Sequence, residues 1–226
     1  MRKLYWFRND LRIQDNPGLR AQEDADGLLL VYCWPKTHPW FNAHGMGGQR
    51  QRFLLESLQS LKEDLAKLGQ NLMVLHGSPE LLIPDLVREY SIDQVASSRA
   101  PGYYERKTGE FLRERLAVPY VEHENTTLFT QSTLPFDVSS TPKHFTPFRN
   151  LLEDTLHTAP VSSPDSLPRP PSAPFDAIPA AETPAHTAFP VRGGSAHGHR
   201  RLQRFIFEDQ SIGRYKETRN CLDALS

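Results

Sequence analysis

Short apolar runs alternate with segments of helical periodicity over residues 1–125, and this alternation strongly constrains the fold. The run Gly27–Trp34 (GLLLVYCW) is apolar throughout, as expected of a strand covered on both faces. The remaining predicted strands are Leu4–Phe7, Asn71–His76, Asp93–Ala100 and Val118–Glu124. Alternating strands and helices with short connections form parallel sheets covered by helices on both faces. We therefore expect an α/β protein with a Rossmann-like, doubly wound, five-stranded parallel sheet.

The strongest helical pattern runs from Gly48 to Leu68. Its leucines recur at spacings of four, three, four and three, which forms one apolar stripe: Leu54, Leu58, Leu61, Leu65 and Leu68. Gly69 is predicted to end this helix. Further helices are predicted over Pro17–Glu23, Ser78–Tyr90 and Tyr103–Leu116. Because Pro84 falls inside the second of these, that helix either starts at Pro84 or is kinked there.

The character of the chain changes after Thr126. An irregular loop over 126–143 and a helix over His144–Leu156 are followed by nine prolines between Ala159 and Pro190. This density of proline excludes regular helix or sheet and leaves two alternatives, a disordered linker or an ordered extended connector. A helix over Gly193–Phe207 is expected next.

Composition excludes several classes of protein. The formal net charge is -1, so no overall basic field attracts nucleic acid to the chain. The two cysteines, Cys33 and Cys221, do not suggest a disulfide framework and fit a reducing cytoplasm. No apolar run is long enough to cross a membrane, and the N-terminus does not have the pattern of a signal peptide.

The common catalytic and binding motifs are not found. There is no G-x-G-x-x-G fingerprint, and Gly45–Gly48 lacks the Lys-Ser/Thr ending of a phosphate loop. No nucleophile-elbow motif occurs, and the histidines do not have the spacing of a zinc site. We therefore predict neither a catalytic residue nor a metal site in this chain.

Charged and amide side chains follow the first strand directly. Arg8, Asn9, Asp10 and Arg12 come after Phe7, and Asp15-Asn16-Pro17 is a typical helix start. Polar residues just past the carboxyl end of a strand lie where ligands bind to open α/β sheets. A salt-bridged turn would give the same pattern, so both interpretations stay open.

Four segments in order resemble one known family. Trp6–Arg12 (WFRNDLR) with Asp15-Asn16 closely resembles the opening of the DNA photolyase and cryptochrome family, nearest its DASH-type branch. Phe53–Leu58 (FLLESL) is similar to the second helix of the family, and Phe145–Arg149 (FTPFR) to its Phe-Thr-Pro-Phe segment. Tyr215–Asn220 (YKETRN) is similar to the entry to its flavin domain.

The resemblance implies two pigments. Family members carry a catalytic FAD in a helical domain and often an antenna pigment, commonly a folate such as methenyltetrahydrofolate, against the α/β domain. His44 and Glu105 fall at positions that match the antenna cleft, and Tyr215 matches a tyrosine that contacts the flavin. The sequence of Pro101–Tyr104 (PGYY) differs from the usual family sequence before Glu105.

The resemblance also implies a function and three domains. Residues 1–130 would be the photolyase-type α/β domain, 131–192 a loop, helix and proline-rich connector, and 193–226 the start of a truncated helical flavin-binding domain. The intact protein would use blue light to repair pyrimidine dimers in damaged DNA, or to sense light. This chain alone is expected to be inactive, because its sequence ends at Ser226, where the flavin site would begin.

Two alternatives without catalysis remain. The chain could be a module that binds a pterin or a nucleotide in its α/β cleft. It could also dock a protein partner, or associate with itself, through an exposed helix face over 200–207 formed by Leu202, Phe205 and Ile206.

Overall fold

The structure is a computed structural model that describes residues 1–34, 46–153, 160–186 and 190–218. Its centre is a sheet of five parallel strands in the order β3-β2-β1-β4-β5. The strands are β1 (Arg2–Phe7), β2 (Gly27–Trp34), β3 (Met73–His76), β4 (Gln94–Ser98) and β5 (Tyr120–His123). The predicted five-stranded Rossmann-like sheet is confirmed.

Helices connect the strands and continue beyond the sheet. The first four are α1 (Pro17–Arg20), α2 (Gly48–Lys67), α3 (Pro79–Glu89) and α4 (Tyr103–Arg115). Three more follow the sheet: α5 (Phe145–Leu152), α6 (Ser195–Gln203) and α7 (Tyr215–Thr218). Helix α1 ends at Arg20 and α6 ends at Gln203, so both are shorter than the sequence predicted, whereas the predicted end of α5 at Leu156 lies outside the described residues. A π-helical turn over Arg204–Glu208 and a 3-10 turn over Ser211–Arg214 follow α6.

Two apolar cores lie on opposite faces of the sheet because successive strand residues point to opposite sides. In β1, Leu4 and Trp6 belong to one core, whereas Tyr5 and Phe7 belong to the other. The eight-residue β2 is buried along six consecutive residues, which explains its uninterrupted apolar run.

Helix α2 packs its leucine stripe on the second of these cores. Leu58, Leu61 and Leu65 are buried there, and Leu54 and Leu68 are partly buried. The helix ends as predicted, because Gly69 adopts a φ of +74° that an L side chain rarely tolerates.

Helix α3 continues through Pro84 instead of starting at it. It begins at Pro79, and Ile83, Leu86 and Val87 are buried on the first core. Packing of this apolar face offsets the backbone hydrogen bond that the proline cannot donate.

The described part of the proline-rich segment, residues 160–186 and 190–192, is ordered against the α/β domain. Leu167 is only 7% exposed and packs in the second core, and Phe175 packs against the first. The backbone N–H of Leu28 donates to the carbonyl of Arg169 over 3.1 Å, so the segment bonds to the start of β2. Of the two alternatives, the structure therefore supports the ordered connector.

Helix α2 also holds the far end of this connector. Gln49 donates to the carbonyl of Pro184 over 2.8 Å, and Arg52 donates to the carbonyl of Val191 over 2.9 Å. The backbone N–H of Gly193 then donates to Glu56 over 2.7 Å. The chain thus reaches α6 along a path fixed by side chains of α2.

Candidate functional site

The strand order reverses between β1 and β4, which places the switch point of the sheet there. Ligands of open α/β sheets bind at this point, outside the carboxyl ends of the strands. The loop after β1 carries Arg8 and Asp10, and the loop after β4 leads into α4 at Tyr103. The candidate site is built from these two loops and from the end of β5.

A buried polar network closes the inner part of this edge. Its members are Tyr5, Asp10, Asn16, Ser98 and Asn125, here called the Asp10 network, and each is less than one-tenth exposed. Asp10 Oδ2 accepts a short hydrogen bond from Ser98 and a bond of 3.1 Å from Asn125 Nδ2. The network therefore joins the ends of β1, β4 and β5.

Asn16 connects this network to the first helix. Its Oδ1 accepts from the backbone N–H of Leu19 over 3.0 Å, which caps α1, and from Asn125 Nδ2 over 2.8 Å. Burial, with the charge of Asp10 as a smaller cause, raises the pKa of Tyr5 above its ordinary value. The Tyr5 hydroxyl therefore stays protonated and can donate a hydrogen bond to Asp10.

Two acceptor atoms of the network have no hydrogen-bond partner within the described part of the chain. They are Asp10 Oδ1 and Asn125 Oδ1, and both are buried. The network is otherwise saturated and closed to solvent, so its main effect is to hold the loop ends together.

Arg8, in the loop after β1, contacts residues of three different elements. Its side chain is 6% exposed, and its Nη2 donates to the backbone carbonyl of Glu105 over 2.8 Å. Its Nη1 lies 3.7 Å from Glu122 Oε1, and its guanidinium lies 4.6 Å from the centre of the Trp6 ring. One buried cation thus ties β1, α4 and β5 together.

Glu105 lies exposed in the first turn of α4, where an acid is favoured by the helix dipole. Its carboxylate folds back towards Gly102, the N-cap residue, and occupies the space beside it. Tyr103 and Tyr104 in the same turn are 60% and 44% exposed, with ring centres 5.4 Å apart. This turn therefore presents a carboxylate and two aromatic rings to solvent.

The other predicted site residues are not brought to this edge by the described structure. His44 lies outside the described residues. Tyr215 starts α7 and is 48% exposed. The pairing of His44 with Glu105 and the flavin contact of Tyr215 stay predictions.

Sequence reasoning missed the Asp10 network as a unit. Asp10 was noticed after β1, but Ser98 and Asn125 were not, although each ends or follows a predicted strand. The signal that could have found them is the presence of polar residues at the carboxyl ends of three parallel strands.

Three further features were searched for in the described part of the chain: a reactive cysteine, a metal site and a membrane-spanning helix. Burial, with the charge of Glu80 as a smaller cause, raises the pKa of the Cys33 thiol to about 12, so this cysteine is not ionised near neutral pH. Among the described residues no group of three or more His, Cys, Asp or Glu could hold a metal ion. A search of the same residues finds no helix with the length and hydropathy to cross a membrane.

Apolar side chains are exposed near the C-terminal end of the described chain. Leu202, Phe207 and Ile212 are 46%, 65% and 54% exposed, whereas Phe205 and Ile206 are half-buried. Of the three residues expected to form an exposed face, only Leu202 is exposed, and Phe207, outside that set, is more exposed than Leu202.

Relatives match the sequence over most of the chain. Two DASH cryptochromes align with it: the protein from Idiomarina loihiensis is 34% identical and covers 99% of this chain, and that from Xenopus laevis is 33% identical and covers 97%. The alignments cover 51% and 46% of those proteins, so the chain spans about half the length of the curated relatives it matches.

Solved structures agree with this comparison. A cryptochrome from Synechocystis superposes with a TM-score of 0.82 at 28% identity, over 97% of this chain and 49% of that one. A class III photolyase from Agrobacterium tumefaciens gives a TM-score of 0.60 at 26% identity, over 80% of this chain and 36% of that one. A sequence model of the family described as DNA photolyase matches residues 3–170. The chain therefore belongs to the DNA photolyase family, and its sheet is the α/β fold of the N-terminal domain of that family.

Proposed function

We propose that this chain is the antenna-binding domain of a blue-light-absorbing flavoprotein, and that it binds a folate at the carboxyl edge of its sheet. Glu105 is the observation that carries the proposal. Its side chain is exposed to solvent, while its backbone is held by the buried Arg8. A carboxylate on a fixed backbone is suited to accept hydrogen bonds from a pterin ring.

The surroundings of Glu105 fit such a ligand. Methenyltetrahydrofolate is a flat, conjugated ring system, and the adjacent Tyr103 and Tyr104 offer aromatic surface in the same turn. Rotation of the Glu105 side chain away from Gly102 would free both oxygens, at small cost for an exposed group. His44 is proposed as a second contact.

For the whole protein we propose FAD as the second pigment and damaged DNA as the partner. When bound, FAD would supply the light-driven electron transfer that splits a cyclobutane pyrimidine dimer, or the signal of a light sensor. Tyr215, exposed at the start of α7, is the proposed contact from this chain. The proposed division stays 1–130, 131–192 and 193–226, and the free thiol of Cys33 supports a cytoplasmic location.

Titration of the full 226-residue chain with methenyltetrahydrofolate tests the antenna site, with quenching of the pigment's fluorescence as the signal. We expect saturable binding that Glu105→Gln weakens by about ten-fold, since one charge-assisted hydrogen bond is lost. His44→Ala is expected to weaken binding as well.

Glu114→Gln is the matched control, because Glu114 is another exposed glutamate on α4. Its affinity should equal that of the unmodified chain. Unchanged binding by Glu105→Gln, or an equal loss in both variants, would remove Glu105 from the site. The chain without the rest of a photolyase is expected to show no light-dependent repair of dimers.

A second candidate function is self-association through the apolar face over 200–207. The exposure of Leu202 and Phe207, close together in the sequence, favours it, because exposed apolar patches often mark interfaces. Sedimentation velocity should then show a dimer that Phe207→Asp dissociates. Leu81→Asp is the control, since Leu81 is 68% exposed on α3.

A further inference from the structure

A cleft beside the first two turns of α6 is lined by four cationic or donor side chains and two apolar residues. Its volume is about 400 Å³, and it lies between the end of the connector and the helix. The lining residues are Pro190, Val191, Arg192, His197, Arg200 and Arg201, here called the basic cleft. No acid lines it, although the chain as a whole has a net charge of -1.

The arginines of the basic cleft are not neutralised by neighbouring acids. No ion pair within the described ranges involves Arg192, Arg200 or Arg201. Glu56 on the adjacent α2 is already engaged, since it pairs with Arg52 over 3.0 Å and accepts from the backbone of Gly193 over 2.7 Å. Three guanidinium groups therefore bring unbalanced positive charge to one concave surface.

His197 adds a donor of defined direction. Arg200 Nη2 lies 2.8 Å from His197 Nδ1, and because arginine can only donate, Nδ1 is the acceptor. With Nδ1 as the acceptor, a ring N–H of His197 is carried by Nε2. The first turn of α6 also contains no acid, so the helix dipole adds to the positive field.

We propose that the basic cleft is a binding site for a phosphate or pyrophosphate group. Guanidinium groups recognise phosphate oxygens through paired N–H donors, and three arginines line this cleft together with His197. The apolar lining is limited to Pro190 and Val191, with no aromatic ring to stack on a base. The phosphate group itself, and not a nucleobase, is the part of the ligand that this cleft recognises.

Isothermal titration of the full chain with pyrophosphate, in low salt, tests the site. We expect a Kd below about 1 mM. Arg200→Gln and Arg201→Gln should each weaken binding by about ten-fold, as expected for loss of a charged hydrogen bond. Binding should also weaken as sodium chloride is raised, because the cleft is open to solvent.

Arg204→Gln is the matched control. Arg204 follows the same helix but pairs with Asp209 over 2.8 Å and does not line the basic cleft. It should leave the Kd unchanged, and all variants should show the circular dichroism and melting temperature of the unmodified chain. Failure of the unmodified chain to bind pyrophosphate, or an equal effect of Arg204→Gln, would overturn the proposal.

Two competitors identify the source of the phosphate. A nucleoside diphosphate that displaces pyrophosphate, where a short single-stranded oligonucleotide does not, assigns the site to a small phosphorylated ligand. Displacement by the oligonucleotide at an equal phosphate concentration assigns it to a nucleic acid backbone. Either result supports the site, and neither depends on folate binding at Glu105.

Discussion

Arg8 Nη2 donates to the backbone carbonyl of Glu105 over 2.8 Å, although 97 residues separate the two in sequence. The bond joins the loop after β1 to the first turn of α4 across the switch point of the sheet. It fixes the backbone of Glu105 without using the carboxylate. The same residue can therefore be rigidly placed and still free to bind a ligand.

Replacing Arg8 should destabilise the fold. Arg8→Gln removes a buried cation that bonds to Glu105 and lies near Glu122, and we expect the free energy of unfolding to fall by about 2 kcal/mol. Urea denaturation measures this change. Arg113→Gln is the control, because Arg113 pairs with the same Glu122 but is 50% exposed, and it should cost less than about 1 kcal/mol. Equal losses of unfolding free energy in the two variants would show that the burial of Arg8 does not add to its contribution.

Asn125 should be the most sensitive amide of the Asp10 network. Its Nδ2 lies within 3.3 Å of acceptors on Tyr5, Asp10, Asn16 and Ser98. Asn125→Ala leaves these buried groups short of a donor, and we expect a loss of about 2–3 kcal/mol in urea denaturation. The exposed Asn9→Ala should change stability by less than about 0.5 kcal/mol. A loss for Asn125 no larger than that for Asn9 would show that the network does not stabilise the fold.

The docked connector should protect the chain from proteolysis. Leu167 is 7% exposed within the second core, so Leu167→Ala should lower the free energy of unfolding by about 2–3 kcal/mol and speed cleavage within residues 160–186. Limited proteolysis followed by mass spectrometry locates the cuts. Leu128→Ala, at a leucine that is 60% exposed, should have neither effect. Rapid cleavage of the unmodified connector would instead indicate a loose linker.

Stability should fall in alkaline solution. Burial is the main cause that raises the pKa of Tyr32 from 10.0 to about 12. Above pH 10 the unfolded chain loses this proton first, so the unfolded state binds fewer protons and stability decreases up to about pH 12. The contribution of one such tyrosine is about 1.4 kcal/mol per pH unit.

Tyr32→Phe should therefore make the fall between pH 10 and 12 less steep by about that amount. Urea denaturation at several pH values measures the slope. The same slope for Tyr32→Phe and the unmodified chain would show that Tyr32 does not contribute to this fall.

Local pattern was enough to predict the sheet. The apolar run of β2, the leucine stripe of α2 and the glycine that ends it are each properties of neighbouring residues, and the structure confirms them. Pro84 was harder, because its effect depends on how strongly Ile83 and Leu86 bind the sheet. Local propensity gives the cost of the proline but not the packing that offsets it.

The parts that sequence reasoning missed depend on residues far apart. Ser98 and Asn125 form hydrogen bonds with Asp10 across 88 and 115 residues of sequence, and no sequence periodicity predicts contacts of this range. The connector has the composition of a linker, and only its contact with the start of β2 shows that it is docked. Glu105 was placed by resemblance, and the structure adds Arg8, which local pattern could not pair with it.

The hydrogen bond between Leu28 and Arg169 also constrains the order in which parts of the chain can fold during synthesis. All five strands have been synthesised once His123 is made, yet the amide of Leu28, the second residue of β2, gains its partner only when Arg169 follows. Closing so long a loop carries an entropic cost that short connections avoid. On the ribosome, the sheet can therefore assemble first, and the connector docks afterwards as the last layer to form.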